Sequence, residues 1–415
     1  MKVCTRCWYP SHHPLHLTFD QQGVCSGCRV HEEKDELDWP ERGARLGKLL
    51  DSYRCRSGKN YDCIVPVSGA RDSYFIVHTL KHIYGLNPLL VTYNKHYNTD
   101  RGVRNLAHLR IAFNCDILTL TLAEETVKKM TRASLRRRGS LYWHCLAGQT
   151  VFPVQIACRL KIPLIVWGAH QGVDQVGMFS HLDEVEMTRK YRKEHDLMGL
   201  EAEDLIDEFD GIEERDIHQL VYPDSKLLEQ VGVRGIYLNN YLRWDTKAQH
   251  ESMLELYGYE TADQNRTFDT YNDVDCFNYS DVHDYTKWVK HGYTKVTDHA
   301  NREIRLKRLN RQQARELILE HRERPLRYLW QFCQWLGISE NAFHFLLDEH
   351  RNPGLWERNQ RWEWELKADP LQAPMAQAQP QPLESTGGAS FQMTDDRRPG
   401  YRDDRYILIG KGYPE

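Results

Sequence analysis

The stretch YDCIVPVSGARDS, residues 61–73, decides how the chain reads. Its first half is apolar and predicts a buried strand. Ser68 and Gly69 then turn the backbone into a helix whose apolar positions continue through SYFIVHTLKHIYG to Gly85. A strand that ends in small residues and opens a helix aims first-turn N–H groups at one spot, where they can cradle phosphate oxygens. Ser68 and Ser73 add hydroxyl donors, and Asp72 can orient magnesium or the loop itself. The G-x-x-x-x-G-K-[ST] loop and the G-x-G-x-x-G fingerprint are both absent. On spacing alone, an ordinary strand–turn–helix corner stays open.

Outward from this corner, strands are predicted at PLLVTYN (88–94), DILTLTL (116–122) and IPLIVWG (162–168), with helices around 101–113 and 151–160. The alternation predicts an α/β fold, a mostly parallel sheet covered by helices on both faces. Beyond Gly168 the pattern loosens. Residues 182–220 are acidic and read as helical, GIYLNNYL (235–242) reads as a short strand, and 302–350 as long helices. Residues 372–390 are low-complexity and read as a flexible linker, and YILIGKGYPE as a small strand returning to the body. The expected divisions are 1–32, 33–59 (a helical connector), 60–245 (the α/β domain), 246–365 (a helical region) and 366–415 (linker and tail).

The bulk numbers fit a globular chain. Of 415 residues, 40% are hydrophobic and 27% charged, with a net charge of -4. That balance argues against a general nucleic-acid binder, which needs concentrated Lys and Arg; the run RRR at 136–138 reads as a solvated helix face. No stretch approaches a membrane-spanning length, and MKVCTRCWYP lacks the apolar core of a signal peptide. Eleven unevenly spread cysteines suit a reducing cytoplasm rather than a disulfide scaffold.

Cys4 and Cys7 form one C-x2-C knuckle, Cys25 and Cys28 another, with seventeen residues between. Four thiolates in this pattern give tetrahedral sulfur ligation with no open position, hence a structural metal, zinc before an iron–sulfur cluster. Four unrelated buried cysteines are the plain alternative. His12, His13 and His16, inside the loop, read as surface residues.

SGARDS resembles the SGGxDS signature of the PP-loop ATP pyrophosphatases. With CTRCWYP, CSGC, LLVTYN, IPLIVWGAHQG, GMFSHLDEVEMT, GIYLNNYLRWD and TDHANREIR, the chain from Met1 to about His321 resembles the N-acetyl sugar amidotransferases of bacterial lipopolysaccharide O-antigen and surface-polysaccharide synthesis. Ala70 departs from the signature's second glycine, which is harmless if its φ is negative. Ala169-His170 stands where the family has an acidic residue followed by Asn, and Asp174 is the candidate to take over the acidic role. The resemblance implies a PP-loop fold for residues 60–245, substrate or partner binding by 246–365, and ATP with Mg2+. It implies adenylation of the acetamido oxygen of a nucleotide-linked sugar, then displacement of AMP by ammonia. Ser68, Gly69, Ala70, Asp72 and Ser73 would hold the pyrophosphate, and Thr92, Tyr93 and Asn94 would lie near the nucleoside. Gly168 would let the crevice approach the nucleotide.

Arg71 reads equally as a phosphate or sugar-nucleotide contact and as a surface residue. His299 reads as a substrate-orienting group or as a core residue, and Asp281, His283 and Asp284 as sugar ligands or a loop. A separate glutaminase and a cyclase-like subunit would supply ammonia. Two rivals remain: a tRNA sulfurtransferase of the same superfamily, with Cys145 as the candidate reactive thiol and Cys63 as inert core, and a nucleotide-binding scaffold without turnover.

Overall fold

The computed structural model describes residues 1–15 and 17–374, except the side chain of Arg71. Its centre is a five-stranded sheet ordered β3-β2-β1-β4-β5. The strands are β1 Cys63–Pro66, β2 Pro88–Tyr93, β3 Ile117–Leu120, β4 Leu164–Trp167 and β5 Arg234–Tyr237. All four pairings are parallel, with Pro66 opposite Val91, Tyr93 opposite Leu120 and Trp167 opposite Tyr237. The chain leaves β1 first toward β2 and β3, then returns to add β4 and β5 on the other side. The end of β1 is therefore the topological switch point, the crevice where open α/β sheets bind ligands.

Every residue of β2 is buried, which is why it reads as an unbroken apolar run rather than an alternating one. Alternate residues feed two cores. Ile64, Leu89, Val91 and Tyr93 pack with α5 (Glu124–Arg138) and α6 (Trp143–Leu160). Helix α1 (Ser26–Glu33) carries Cys28; Cys63, Val65 and Leu90 face the opposite core, with α2 (Trp39–Ser52), α3 (Arg71–His78) and α4 (Asp100–Phe113). In α4 the Thr99 side chain caps the first turn and Asn114, left-handed at φ 47, ends the last.

The structure departs from the sequence reading in three places. Helix α6 begins eight residues earlier than Val151, and Pro153 lies inside it. The whole of α5 is present although its sequence is too polar to announce a core-facing helix. Residues 182–220 are mostly loops and short turns rather than long helices. Several of their acids are spent on ion pairs: Glu186 with Arg234 at 2.7 Å, Glu201 with Arg192 at 2.6 Å, and Asp207 with Arg137 at 2.5 Å. Arg136 and Arg137 are thus paired within the protein, not presented as a basic patch.

Beyond β5 come the helices Thr246–Tyr257, Asp284–His291, Lys295–Arg305, Arg311–Arg322, Leu329–Leu336 and Glu340–Asp348. An antiparallel hairpin, Trp356–Arg358 with Trp364–Leu366, follows. Leu371 is buried, and its carbonyl accepts from Arg315 Nε at 2.8 Å. Most of the predicted linker, and all of YILIGKGYPE, lie outside the described residues. Among those described, no helix is long and apolar enough to cross a membrane.

Candidate functional site

The loop after β1 is built by its own small residues. Gly69 stands at φ +80, and a Cβ there would meet the backbone N of Leu106 at 2.9 Å. Glycine is required for both reasons. Ala70 has φ -82 and ψ 172, ordinary extended backbone, so its methyl group is tolerated. The Ser73 hydroxyl accepts from the Ser68 N–H at 3.0 Å, and the Ser68 hydroxyl accepts from the Ala70 N–H at 3.3 Å. Both hydroxyls act as acceptors inside the loop and keep their own protons to donate. No side chain caps α3, so its first turn opens at the loop uncovered. Asp72 is half-buried in that turn.

The other predicted nucleotide residues are only partly aimed at this crevice. Thr92 is buried one residue before the end of β2, and Asn94 is the first residue past the strand. Asn94 Oδ1 accepts from His96 N at 3.0 Å and Asn98 Nδ2 at 2.7 Å, so it shapes the turn that follows. The Tyr93 ring points down into the α6 core, where its hydroxyl meets His144 Nδ1 at 3.1 Å. Gly148 makes room for that ring, since a Cβ there would lie 2.3 Å from it. At Gly168 a Cβ would meet Ile76 and Trp244, both at 3.1 Å; this glycine admits apolar packing.

Asp174 ends α7 (Gln171–Asp174), just past β4. Its carboxylate is 2.5 Å from the buried Lys34 ammonium, which also donates to the Trp244 carbonyl at 3.0 Å. Burial works to raise the Asp174 carboxyl, but Lys34 outweighs it and holds the group below the usual carboxylate range. An acid so engaged is a structural tie. His170 caps α7 by accepting from Gly172 N at 3.1 Å, and burial pushes its imidazole down to about 3.

His299 is also tied, with Nδ1 2.8 Å from Thr267 Oγ1. Its neighbour Asp298 accepts from the Tyr9 hydroxyl at 2.7 Å and pairs with Lys287. From the Asp281–His283–Asp284 group, Asp284 is buried between Arg266 and the Lys295 N–H, and Asp281 accepts from Arg327 N at 2.6 Å. His283 alone of the three lines a cavity. The Cys145 thiol is fully buried and raised well above its ordinary range by burial, the opposite of an activated thiol. Cys63 is inert strand core.

That cavity, ≈ 170 Å³, is bordered by Tyr142 and Leu146 of the α6 entry, Gln171 after β4, Tyr191, His195, Asp196, Tyr279 and His283. Tyr142 lies under the Lys95 ammonium, 5.9 Å from ring centre to Nζ, and Lys95 continues β2. Gln171, just past β4, thus lines the cavity, and Lys95, just past β2, lies over its Tyr142 wall. Sequence reasoning flagged His283 and missed Asp196, which lies in the acidic stretch read as helix.

The four thiols of Cys4, Cys7, Cys25 and Cys28 lie within 4.8 Å of one another, all buried. Cys7 to Cys25 is 3.7 Å and Cys4 to Cys28 is 4.0 Å. A tetrahedral ion with sulfur bonds of about 2.3 Å needs edges of about 3.8 Å, so the quartet can hold a metal as it stands. N–H groups of Cys7 and Cys25 point at Cys4 Sγ, at 3.4 and 3.3 Å. His13 is buried against Tyr293, ring centres 5.2 Å apart, not on the surface as expected; His12 is half-buried against the His291 carbonyl. His16 lies outside the described residues.

A family profile described as "LPS biosynthesis protein WbpG-like, C-terminal domain" matches residues 265–368. An uncharacterized protein of Methanocaldococcus jannaschii is 23% identical over 134 residues, 30% of this chain and 47% of that protein. The match thus spans less than half of this curated relative. Among solved structures, NMN synthetase from Francisella tularensis is similar at 13% identity and a TM-score of 0.27, covering 52% of this chain and 96% of that one. NH3-dependent NAD synthetase from Campylobacter jejuni is similar at 11% identity and a TM-score of 0.28, covering 47% and 92%. The α/β architecture rests on the strand order itself, not on these likenesses.

Proposed function

We propose that this chain is an ATP-dependent amidotransferase of the PP-loop kind. It adenylates the amide oxygen of an N-acetylated nucleotide sugar and installs ammonia-derived nitrogen, giving an acetamidino sugar, AMP and pyrophosphate. The observation that carries this reading is the SGARDS loop: an uncapped helix start at the switch point, with two serine hydroxyls free to donate. The match of residues 265–368 to a lipopolysaccharide-biosynthesis family supports the assignment to surface-polysaccharide synthesis.

An amide carbon is a poor electrophile with a poor leaving group. Attack of the amide oxygen on the α-phosphorus breaks the bond to pyrophosphate and turns that oxygen into part of a good leaving group. Ammonia adds to the carbon, and the carbon–oxygen bond to AMP breaks. The protein's part is alignment and charge stabilisation. Ser68, Gly69, Ala70 and Ser73 hold the departing pyrophosphate, Asp72 orients Mg2+, and Arg71 adds positive charge. Thr92 and Asn94 border the nucleoside. Residues 246–365 bind substrate and partners. The cysteine quartet holds zinc as a brace, and separate glutaminase and cyclase-like subunits deliver ammonia in the cytoplasm.

The test is to incubate the chain with ATP, magnesium, an ammonium salt at mildly alkaline pH and a panel of nucleotide-linked acetamido sugars. AMP, pyrophosphate and product mass are followed together. One sugar should release AMP and pyrophosphate in equal amounts and become lighter by the difference between O and NH. ATP binding without pyrophosphate release for any sugar would defeat the assignment.

A further inference from the structure

Two of the chain's π-helical turns, Arg192–Asp196 and Asn278–His283, end at the same cavity. Such turns reposition side chains at the expense of regular hydrogen bonding and are frequent at functional sites. One delivers His195 and Asp196, the other Tyr279 and His283. The walls are aromatic. Tyr279 stacks on His283 with centres 4.8 Å apart, Tyr142 leans on Tyr279 at 4.7 Å, and across the cavity Tyr191 faces His195 at 4.7 Å. The space, ≈ 170 Å³, far exceeds the roughly 10–15 Å³ that one water needs.

Among these walls Asp196 is the one carboxylate, and it has no hydrogen bond or ion pair among the described residues. The cation whose charge acts on it, Arg192, is committed to Glu201 at 2.6 Å and to Thr150 at 2.8 Å. A half-buried acceptor left open in an aromatic chamber is arranged for a ligand that brings an N–H or O–H of its own. Rings that pack on the C–H faces of a sugar, with hydroxyl and imidazole groups at their rims, suit an acetamido sugar better than a charged phosphate.

Resting on the amidotransferase reading, we propose that this cavity seats the acetamido-bearing ring, and that Asp196 accepts the acetamido N–H and takes its proton. As the amide oxygen bonds to the α-phosphorus and pyrophosphate leaves, the N–H electron pair becomes the C=N bond of a neutral O-adenylyl imidate. The proton then resides on the Asp196 carboxyl. Ammonia next adds to the imidate carbon. A proton passes from the incoming nitrogen to the original one, and AMP departs with the carbon–oxygen electron pair, leaving the amidinium. Asp196 returns its proton to solvent.

The carboxyl suits this task, because burial pushes it up to about 7, with Arg192 pulling weakly the other way. The other titratable groups around it are Tyr191 and Tyr237, raised by burial and by the Asp196 charge, and the cavity imidazoles His195 and His283, the latter held down to about 3 by burial.

The experiment compares wild type with Asp196→Asn and Asp196→Glu. It measures pyrophosphate release against pH at constant un-ionised ammonia, using the sugar nucleotide that the wild type turns over. Asparagine can still accept the N–H but cannot take the proton. Asp196→Asn should therefore lose about 10²–10⁴ in kcat with little change in KM, and lose the rise in rate centred near pH 7, while Asp196→Glu should recover part of both. Saturation-transfer NMR with N-acetylglucosamine should show acetyl-methyl contact in wild type and in Asp196→Asn, a readout of folding and occupancy that needs no turnover. Wild-type kcat and pH profile in Asp196→Asn would overturn the role of Asp196, and absence of the methyl contact in wild type would overturn the seat. A wild type that releases no pyrophosphate with any sugar would instead defeat the amidotransferase reading beneath both.

Discussion

Adjacent residues of the loop, Gly69 and Ala70, should respond in opposite ways to exchanging their identities. At Ala70, φ -82 and ψ 172 are unstrained, so Ala70→Gly only frees the unfolded chain. The expected loss is about 0.4–1 kcal/mol of stability, a two- to fivefold change in the unfolding constant, with no gain in pyrophosphate release. At Gly69, an alanine must hold φ +80 and place its Cβ 2.9 Å from Leu106 N. The left-handed conformation costs about 1–2 kcal/mol, and relieving the backbone contact about as much again; restricting the unfolded chain returns less than 1. Gly69→Ala should thus lose about 2–3 kcal/mol and, because relief means moving the loop off α4, nearly all pyrophosphate release. Urea unfolding at unchanged slope measures the first effect, and a coupled pyrophosphate assay the second. If Ala70→Gly raised activity tenfold or more, the argument that Ala70 is conformationally at home would be refuted, and the scaffold reading would gain. A fully active Gly69→Ala would remove the loop from the site.

Further outcomes follow from the contacts. The purified chain should carry one zinc, released by Cys25→Ser, with a fall in melting temperature measurable by dye binding alongside a colorimetric metal assay. Lys34→Met should cost about 3–5 kcal/mol by stranding Asp174, and adding Asp174→Asn should recover much of it in chemical denaturation. Since the Asp174 carboxyl is held below its unfolded value, its contribution is present above about pH 4 and fades as pH falls further; Asp174→Asn and wild type should converge in acid. Asp196 has the opposite sign. Its folded carboxyl is raised, so Asp196→Asn should stabilise the protein fully above about pH 7 and not at all below about pH 4, read by melting at several pH values. Arg137→Ala should cost under about 1 kcal/mol and leave tRNA retention on a filter unchanged, because Arg137 is already paired with Asp207.

The parts legible in the sequence were those whose physics is local. β1, β2 and β4 are buried on both faces and show as apolar runs; α4 carries its own caps, and the cysteine knuckles carry their own spacing. The loop was legible for the same reason: a glycine and two serines within six residues make their own bonds. What depended on distant partners was not. Tyr93 sits at the predicted edge, yet Gly148, fifty-five residues on, decides where its ring goes. His299 was singled out by the stretch it lies in and Asp174 as a stand-in for a missing acid after β4, but in the fold Thr267 holds the first and Lys34 the second. Asp196 was invisible because nothing in its neighbourhood of sequence says that a turn from residues 278–283 will close the chamber opposite it. The TDHANREIR stretch, quoted for its resemblance, has a packing task that its sequence does not announce: Asp298, Asn301 and Arg305 hold Tyr9, Trp8 and the Gln175 carbonyl.

That last clasp sets an order of events during synthesis. All four cysteine ligands fall in one short stretch, Cys4 to Cys28, so the knuckle can capture its ion as soon as that stretch is made. Its outer surface cannot be covered until much later. Trp8 waits 293 residues for Asn301, and Tyr9 waits 289 for Asp298. At about 5–20 residues per second, the nascent chain spends on the order of half a minute with a finished beginning and no end to close upon. Two segments made 289 to 293 residues apart must find each other across the completed sheet, a long-range closure that makes their docking slow. Truncation anywhere before residue 305 would leave the opening thirty residues without their cover, however well the sheet had formed.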